Sequence, residues 1–192
     1  MINRLLVICG LLLLGSCAED PIPKPRAYLR LDYPKPEYVG VQPDLPFRFE
    51  RNIQADSLGP VEISRDGKSK GVNLVYPDLK GTIYLTYKAI NDNLQMYLID
   101  AQNLTQKHTL KADEIIEQPY VDEQNRVFGM FYEVGGNAAS QSQFYVTDST
   151  DHFITGSLYF YTKPNYDSIL PAAYYLRNDI QHLMETIRWK KN

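Results

Sequence analysis

The residue best suited to carry chemistry is Cys17, which ends the segment Leu14-Gly15-Ser16-Cys17. An aliphatic residue, two small residues and a cysteine are typical of a bacterial lipobox, whose cysteine thiol accepts a diacylglyceryl group as a thioether. The small side chains of Gly15 and Ser16 let the extended backbone enter a narrow peptidase site. Most lipoboxes have Gly or Ala before the cysteine, so Ser16 is a mild departure. The pattern predicts cleavage before Cys17 and acylation of its sulfur.

Residues 1–16 have the features of an export signal. Residues 1–4 form a short positive head, and residues 5–14 are apolar except for Cys9 and Gly10. An apolar run of about ten residues is half of the roughly twenty that a helix needs to cross a bilayer, so a signal peptide is favoured over a transmembrane anchor. The alternatives are an uncleaved core segment or an ordinary secretory signal that ends in a chance cysteine.

Other reactive residue types form no catalytic or metal-binding pattern. The histidines His108, His152 and His182 are not at metal-ligand spacing. Gly67-Lys68-Ser69 resembles the end of a phosphate-binding loop, but Glu62 stands where that loop needs its first glycine. The chain has no Gly-x-Ser-x-Gly segment for a hydrolase nucleophile. We therefore predict no enzyme activity, no cofactor and no metal ion.

Charge and cysteine content exclude further classes of function. Asp113, Glu114 and Glu117 fit a solvated helix face better than a pair of general acids across a cleft. The chain has 20 Lys and Arg residues against 23 Asp and Glu, so loss of Arg4 with the signal leaves 19 − 23 = −4. Nucleic acid is not expected to bind such a surface. With Cys9 removed and Cys17 acylated, no thiol remains for redox or nucleophilic chemistry.

The composition predicts one folded domain behind a tether. Hydrophobic residues make up 44% of the chain and charged residues 22%, close to globular averages. Residues 17–46 are rich in proline, which favours extended backbone, and we expect an acylated semi-rigid tether whose latter half straps onto the domain through its aromatic side chains. Residues 47–192 are predicted to form a single globular domain.

Period-two patterns predict a mainly antiparallel sheet. The predicted strands are 47–50, 61–64, 72–76, 81–87, 127–134, 143–147 and 153–161. In segment 81–87, Ile83, Leu85 and Tyr87 should face the core while Thr82 and Tyr84 face away. Short polar turns join the last three segments, which favours antiparallel hairpins.

Three segments show helical signals. Asn91-Asp92-Asn93 offers N-cap candidates for a helix with apolar residues at 94, 97, 98, 101 and 104. A short helical piece is predicted at 112–117, stopped by Pro119. A long helix is predicted at 168–189, with Pro171 in its first turn and the N-cap at Asp167 or Ser168. The fold class is therefore α+β, an antiparallel sheet covered by helices, and the element order is similar to a PsbP/Mog1-like αβα sandwich.

Two stretches resemble one family closely. They are Pro25-Arg26-Ala27-Tyr28-Leu29-Arg30-Leu31-Asp32-Tyr33-Pro34 and the region from Gly136-Asn137-Ala138-Ala139-Ser140 to Thr150, continued by His152-Phe153 and Gly156-Ser157-Leu158-Tyr159-Phe160. The chain resembles the GldD gliding-motility lipoproteins of the Bacteroidota over its whole length.

The resemblance implies a cell-envelope lipoprotein, anchored in the outer membrane through Cys17 and needed for gliding. Its expected partners are other gliding-motility lipoproteins and the type IX secretion machinery. The resemblance implies no catalytic residue in this chain. Ala18-Glu19-Asp20 is acidic, as in surface-sorting signals of such bacteria, but the leaflet stays open. The same phylum O-glycosylates Asp-Ser/Thr motifs, which makes Ser57, Ser149 and Ser168 candidate sites.

Two functional hypotheses follow. In the first, the chain is a structural partner, and a contact surface forms at Gly135, Gly136, Asn137, Ala138, Ala139 and Ser140, where small residues permit close backbone approach. In the second, it is a surface glycan-binding lipoprotein, because the chain has 15 tyrosines whose rings can stack on sugars. An envelope hydrolase has no support beyond scattered carboxylates.

Overall fold

Buried and less buried side chains alternate along the central strand of the fold, and this alternation decides which face of the sheet packs on the core. In Gly81–Ala89 the side chains of Ile83, Leu85 and Tyr87 are buried in the main core, as their period of two predicts. The computed structural model describes residues 31–56, 58–106, 112–161 and 166–190. These residues include β1 Tyr38–Val41, β2 Phe47–Asn52, β3 Glu62–Ile63, β4 Ser69–Tyr76, β5 Gly81–Ala89, α1 Leu94–Gln106, β6 Ala112–Asp122, β7 Val127–Gly136, β8 Ser140–Thr147, β9 His152–Phe160, α2 Tyr166–Glu185 and β10 Arg188–Trp189.

Two antiparallel sheets organise these strands. The larger has seven strands in the order β3-β4-β5-β9-β8-β7-β6, and the smaller has three in the order β1-β2-β10. Strands β6 to β9 form a meander because each is joined to the next by a short connection. The predicted strands at 127–134, 143–147 and 153–161 are confirmed, and the fold is α+β with mainly antiparallel pairing.

The two faces of the large sheet are covered differently. On one face, α2 and the small sheet enclose the main core, in which Phe47, Leu74, Phe131, Leu176 and Ile180 are buried. On the other face, α1 packs on β9 through a smaller cluster of Tyr97, Ala101 and Phe153. The apolar stripe predicted for α1 is confirmed at those helix positions, whereas Leu104 is exposed.

The predicted helix at 112–117 is wrong, because these residues begin strand β6. Ile115 and Ile116 are β-branched, and the whole segment pairs with β7, which would otherwise expose an unpaired edge. Pro119 does not stop the element. It lies inside β6, where an edge strand tolerates a residue that cannot donate an amide hydrogen.

The long helix ends earlier than predicted. Helix α2 spans Tyr166–Glu185, so Pro171 lies beyond the first turn, and Asp167 and Ser168 lie inside the helix. After Glu185 the chain turns to pair with β2 as β10. Ile187 is buried, but it reaches the core from this turn and not from the helix.

Candidate functional site

The predicted contact segment lies at one end of the large sheet. Gly135 and Gly136 end β7, Ser140 begins β8, and the connection between the strands is 137–139. Only Asn137 and Ala139 of the six predicted residues are exposed, while Gly136, Ala138 and Ser140 are buried. Any contact surface here is therefore formed by the tip of the connection, residues 137–139, and by the side chains next to it.

Gly136 is held in place by its backbone geometry. Its φ is +90°, in the region that favours glycine, and a Cβ atom would lie 2.7 Å from the backbone nitrogen of Asp113. The strand register shifts at the same place, between Ala112 and Glu114. The close backbone approach at Gly136 is therefore one within the fold, to Asp113 of β6.

A β-bulge on β8 turns two polar side chains toward α2. Ser140 pairs with Tyr159 and Gln143 pairs with Ser157, so Gln141 and Ser142 share the place opposite a single residue of β9. Bulges of this kind redirect a side chain that regular alternation would send to the other face. Both side chains consequently line the same cleft beside α2.

We name this space the bulge cleft. It lies between the bulge, the ends of β6 and β7 and residues 170–177 of α2, and its volume is about 50 Å³. The polar residues that line it are Glu114, Glu133, Gln141, Ser142, Tyr174 and Arg177. Glu133 sits centrally, because it pairs with Ile116 of β6 on one side and with Ser142 of β8 on the other.

An ion pair closes one side of the bulge cleft. The Arg177 guanidinium donates a hydrogen bond to the Glu133 carboxylate and lies 5.1 Å from the centroid of the Tyr174 ring. Both members of the pair are about a quarter to a third exposed, at 31% for Arg177 and 23% for Glu133. Such a pair contributes little stability, so its main effect is to fix the orientation of the two side chains.

Two buried polar atoms of the bulge cleft lack a partner. The Oε1 atom of Gln141 and the Oγ atom of Ser142 have no hydrogen-bond partner among the described residues. The Nε2 atom of Gln141 donates to the carbonyl of Ala138 at 2.7 Å, which orients the amide and leaves its oxygen available. Both oxygens can accept a hydrogen bond from a group that enters the bulge cleft from outside.

A second polar cluster holds residues 33–41, which we call the strap, against the rest of the domain. The Tyr38 hydroxyl of β1 donates to Oδ1 of Asp179 at 2.8 Å, and Asn52 Nδ2 of β2 donates to both carboxylate oxygens at 3.1 and 2.9 Å. Burial raises the pKa of Asp179 above its ordinary value, and these hydrogen bonds offset part of that rise. The Tyr33 ring also stacks on Tyr175, at 4.9 Å between centroids. This cluster therefore stabilises the fold by joining β1 and β2 to α2.

The three candidate glycosylation serines lie in different settings. Ser57 is outside the described residues. Ser149 is exposed at the tip of a turn, with φ +69°. Asp148 organises that turn: burial would raise the pKa of its carboxyl, but three backbone N–H donors, from residues 150, 151 and 152, lower it overall. Ser168 is exposed on α2.

The histidines take separate structural roles where they are described. His152 Nδ1 lies 3.0 Å from the Tyr87 hydroxyl, and His182 Nε2 lies 2.8 Å from the Glu50 carboxylate. His108 is outside the described residues, as is the lipobox with Cys17. Across the described ranges, no group of three or more His, Cys, Asp or Glu side chains is arranged to hold a metal ion.

Most of the bulge cleft was missed by the sequence patterns. Glu133 and Arg177 are 44 residues apart, and they meet because α2 packs on β8, the strand next to β7. Gln141 and Ser142 would alternate in a regular strand, and no periodicity indicates the bulge. The run of small residues at 135–140 was the one local signal near this site.

Comparison with known proteins identifies the family. The model of the family described as "Gliding motility lipoprotein GldD" matches residues 18–189. No curated protein and no solved structure gives a match. In the part of the chain that the structure describes, no helix is long and apolar enough to span a membrane. Because the family model covers almost the whole chain, including every strand and helix described above, the protein belongs to the GldD family of gliding-motility lipoproteins.

Proposed function

We propose that this protein is a non-enzymatic lipoprotein of the outer membrane that acts as a structural partner in gliding motility, alongside other gliding-motility lipoproteins and the type IX secretion machinery. Membership of the GldD family supports the motility role. The observation that carries the partner role is the bulge cleft, where Gln141 Oε1 and Ser142 Oγ are buried without hydrogen-bond partners among the described residues. A helix on each face of the large sheet supports a PsbP/Mog1-like sandwich as its framework.

The contact surface is tested by adding bulk at its tip. Ala139 is exposed, so Ala139→Lys places a long side chain beside the bulge cleft without removing a core contact. The matched control is Gln124→Lys, an exposed position in the turn at the opposite end of β7. We expect Ala139→Lys to stop colony spreading and Gln124→Lys to leave it normal, with equal protein levels. Normal spreading of the Ala139→Lys strain would refute the contact surface.

Anchorage is tested at Cys17. Two or three acyl chains, at about 0.8 kcal/mol per buried methylene, hold a protein at a membrane essentially permanently. We expect radiolabelled palmitate to enter the wild-type chain, and Cys17→Ser to lose the label and leave the membrane fraction. Failure of palmitate to enter the wild-type protein would remove the anchor, and with it the assignment to the outer membrane.

Modification of Ser149 is a separate proposal. Its exposure at the tip of the turn leaves its hydroxyl open to an O-glycosyltransferase, and Ser168 is also exposed. Intact-mass spectrometry of the native protein is expected to show a glycan mass that Ser149→Ala reduces. An unmodified wild-type mass would exclude glycosylation at all three candidate serines.

A tyrosine cluster favours glycan binding as the second candidate function. The Tyr84 and Tyr161 hydroxyls are 2.7 Å apart, and the Tyr84 and Tyr159 rings meet edge to face at 5.8 Å. Tyr161 is 65% exposed, which leaves one ring open to a sugar. Retention on insoluble polysaccharide that Tyr161→Ala abolishes, with motility intact in a deletion strain, would favour this function over the partner role.

A further inference from the structure

We propose that the bulge cleft binds the side chain of an arginine that a partner protein supplies. The inference rests on the proposed partner function, because the arginine must come from another chain. Three features of the bulge cleft select this side chain: its unpartnered acceptors, its net charge and its size.

The buried atoms of the bulge cleft require a hydrogen-bond donor. Gln141 is 5% exposed and Ser142 is 1% exposed, so their oxygens can be satisfied only by a donor that enters the cleft, and a guanidinium would replace any water there. The Gln141 amide nitrogen is already used by the Ala138 carbonyl, so the group that remains is an acceptor. A guanidinium has five N–H donors in a fixed plane and can reach a glutamine oxygen, a serine oxygen and a carboxylate together.

The charges around the bulge cleft favour a cation over an anion. Glu114 and Glu133 contribute two negative charges and Arg177 one positive charge, which leaves one net negative charge among the lining residues. Arg177 is paired with Glu133 and lies against the Tyr174 ring, so its positive charge is already partly neutralised inside the cleft. An incoming cation meets the Glu114 carboxylate and the remaining oxygen of Glu133.

The size of the bulge cleft matches the head of an arginine. A volume of about 50 Å³ holds roughly three to five water-sized atoms at about 10–15 Å³ each, and a guanidinium group has four heavy atoms. Ile116, Leu170 and Ala173 line the same space and provide an apolar wall for the methylene stem.

The test uses a short peptide and the full-length lipoprotein in detergent micelles. The probe is an acetylated Gly-Arg-Gly amide with a photoreactive diazirine, and mass spectrometry maps its crosslinks. The comparison peptides replace arginine by citrulline, which has the same shape without the charge, by lysine and by glutamate. The test variant is Glu114→Gln, and the matched control is Glu117→Gln, which is also exposed on β6 but lines the opposite face beside α1.

The arginine peptide should crosslink to residues 133–142 and 170–177, and the citrulline and glutamate peptides should not. We expect Glu114→Gln to raise the half-saturating concentration about threefold, as loss of one partly exposed charge pair implies, and Glu117→Gln to leave it unchanged. Equal labelling by citrulline, equal or tighter labelling by lysine, or equal effects of the two variants would overturn the inference.

The two proposals can fail separately. If Ala139→Lys stops spreading but the arginine peptide does not label the bulge cleft, the contact surface stands and the arginine assignment is overturned. If the peptide labels the cleft in the wild type and the Ala139→Lys strain spreads normally, the arginine site stands and the role of this surface in motility is overturned.

Discussion

The hydroxyl of Tyr38 offers a direct measure of how firmly the strap is held. Tyr38→Phe removes the 2.8 Å hydrogen bond to Asp179 but keeps the ring that stacks on His182 at 3.6 Å between centroids. A hydrogen bond to a charged group contributes roughly 1.5–3 kcal/mol. Because Asn52 still donates to both oxygens of Asp179, the carboxylate is not left alone. We expect a loss of about 2 kcal/mol in the free energy of unfolding.

The matched control is Tyr174→Phe, the same chemical change at a half-exposed position of α2, for which we expect a change within about 0.5 kcal/mol. Urea titrations read by fluorescence of Trp189, the single tryptophan, measure both variants. Trp189 lies in β10, which pairs with β2 and not with β1, so the probe is not altered by the substitution itself. Equal losses in the two variants would refute the fastening of β1 through Asp179.

Three further predictions concern backbone geometry and pH. Gly136→Ala should cost about 1–3 kcal/mol, since it strains a positive φ, whereas Gly40→Ala, with no atom within 4 Å of its new Cβ, should unfold like the wild type in a thermal scan. Asp148→Asn should lower the free energy of unfolding near neutral pH. The fold lowers the pKa of the Asp148 carboxyl from 3.8, so the wild type keeps its full stability advantage over Asp148→Asn above that pH. Urea titrations in acid should show this advantage disappear as pH falls through the folded pKa. Burial raises the pKa of Asp179, so the wild type should gain stability relative to Asp179→Asn as pH falls through that raised pKa. A difference in unfolding free energy that stays constant across pH in urea titrations would contradict this prediction.

Local patterns predicted the elements whose faces differ strongly in polarity. The alternation of Ile83, Leu85 and Tyr87 predicted the buried face of β5. The N-cap candidates at 91–93 predicted the start of α1, and the structure places the cap at Asn93, whose carbonyl accepts the amide of Tyr97. These signals are contained within a few residues, so no knowledge of the rest of the fold is needed to interpret them.

Segments whose conformation depends on distant partners were not predicted. Strand β6 is exposed along most of its length, so it carries no clear periodicity, and its pairing with β7 decides its structure. The end of α2 is decided by β2, which pairs with Arg188 and Trp189. The bulge cleft has the same origin, since its residues come from β6, β7, β8 and α2.

The position of β1 has a mechanical consequence for a protein anchored, as proposed, through Cys17. Any pull between the membrane and the moving machinery enters the domain at its amino-terminal side, meets the Tyr33 ring stacked on Tyr175 and then reaches the four residue pairs of β1 with β2. Tyr38 begins β1, so its bond to Asp179 is strained before the pairs behind it. Stretching single molecules from the amino terminus should therefore show a small early rupture, before the seven-stranded sheet unfolds, that Tyr38→Phe shifts to lower force.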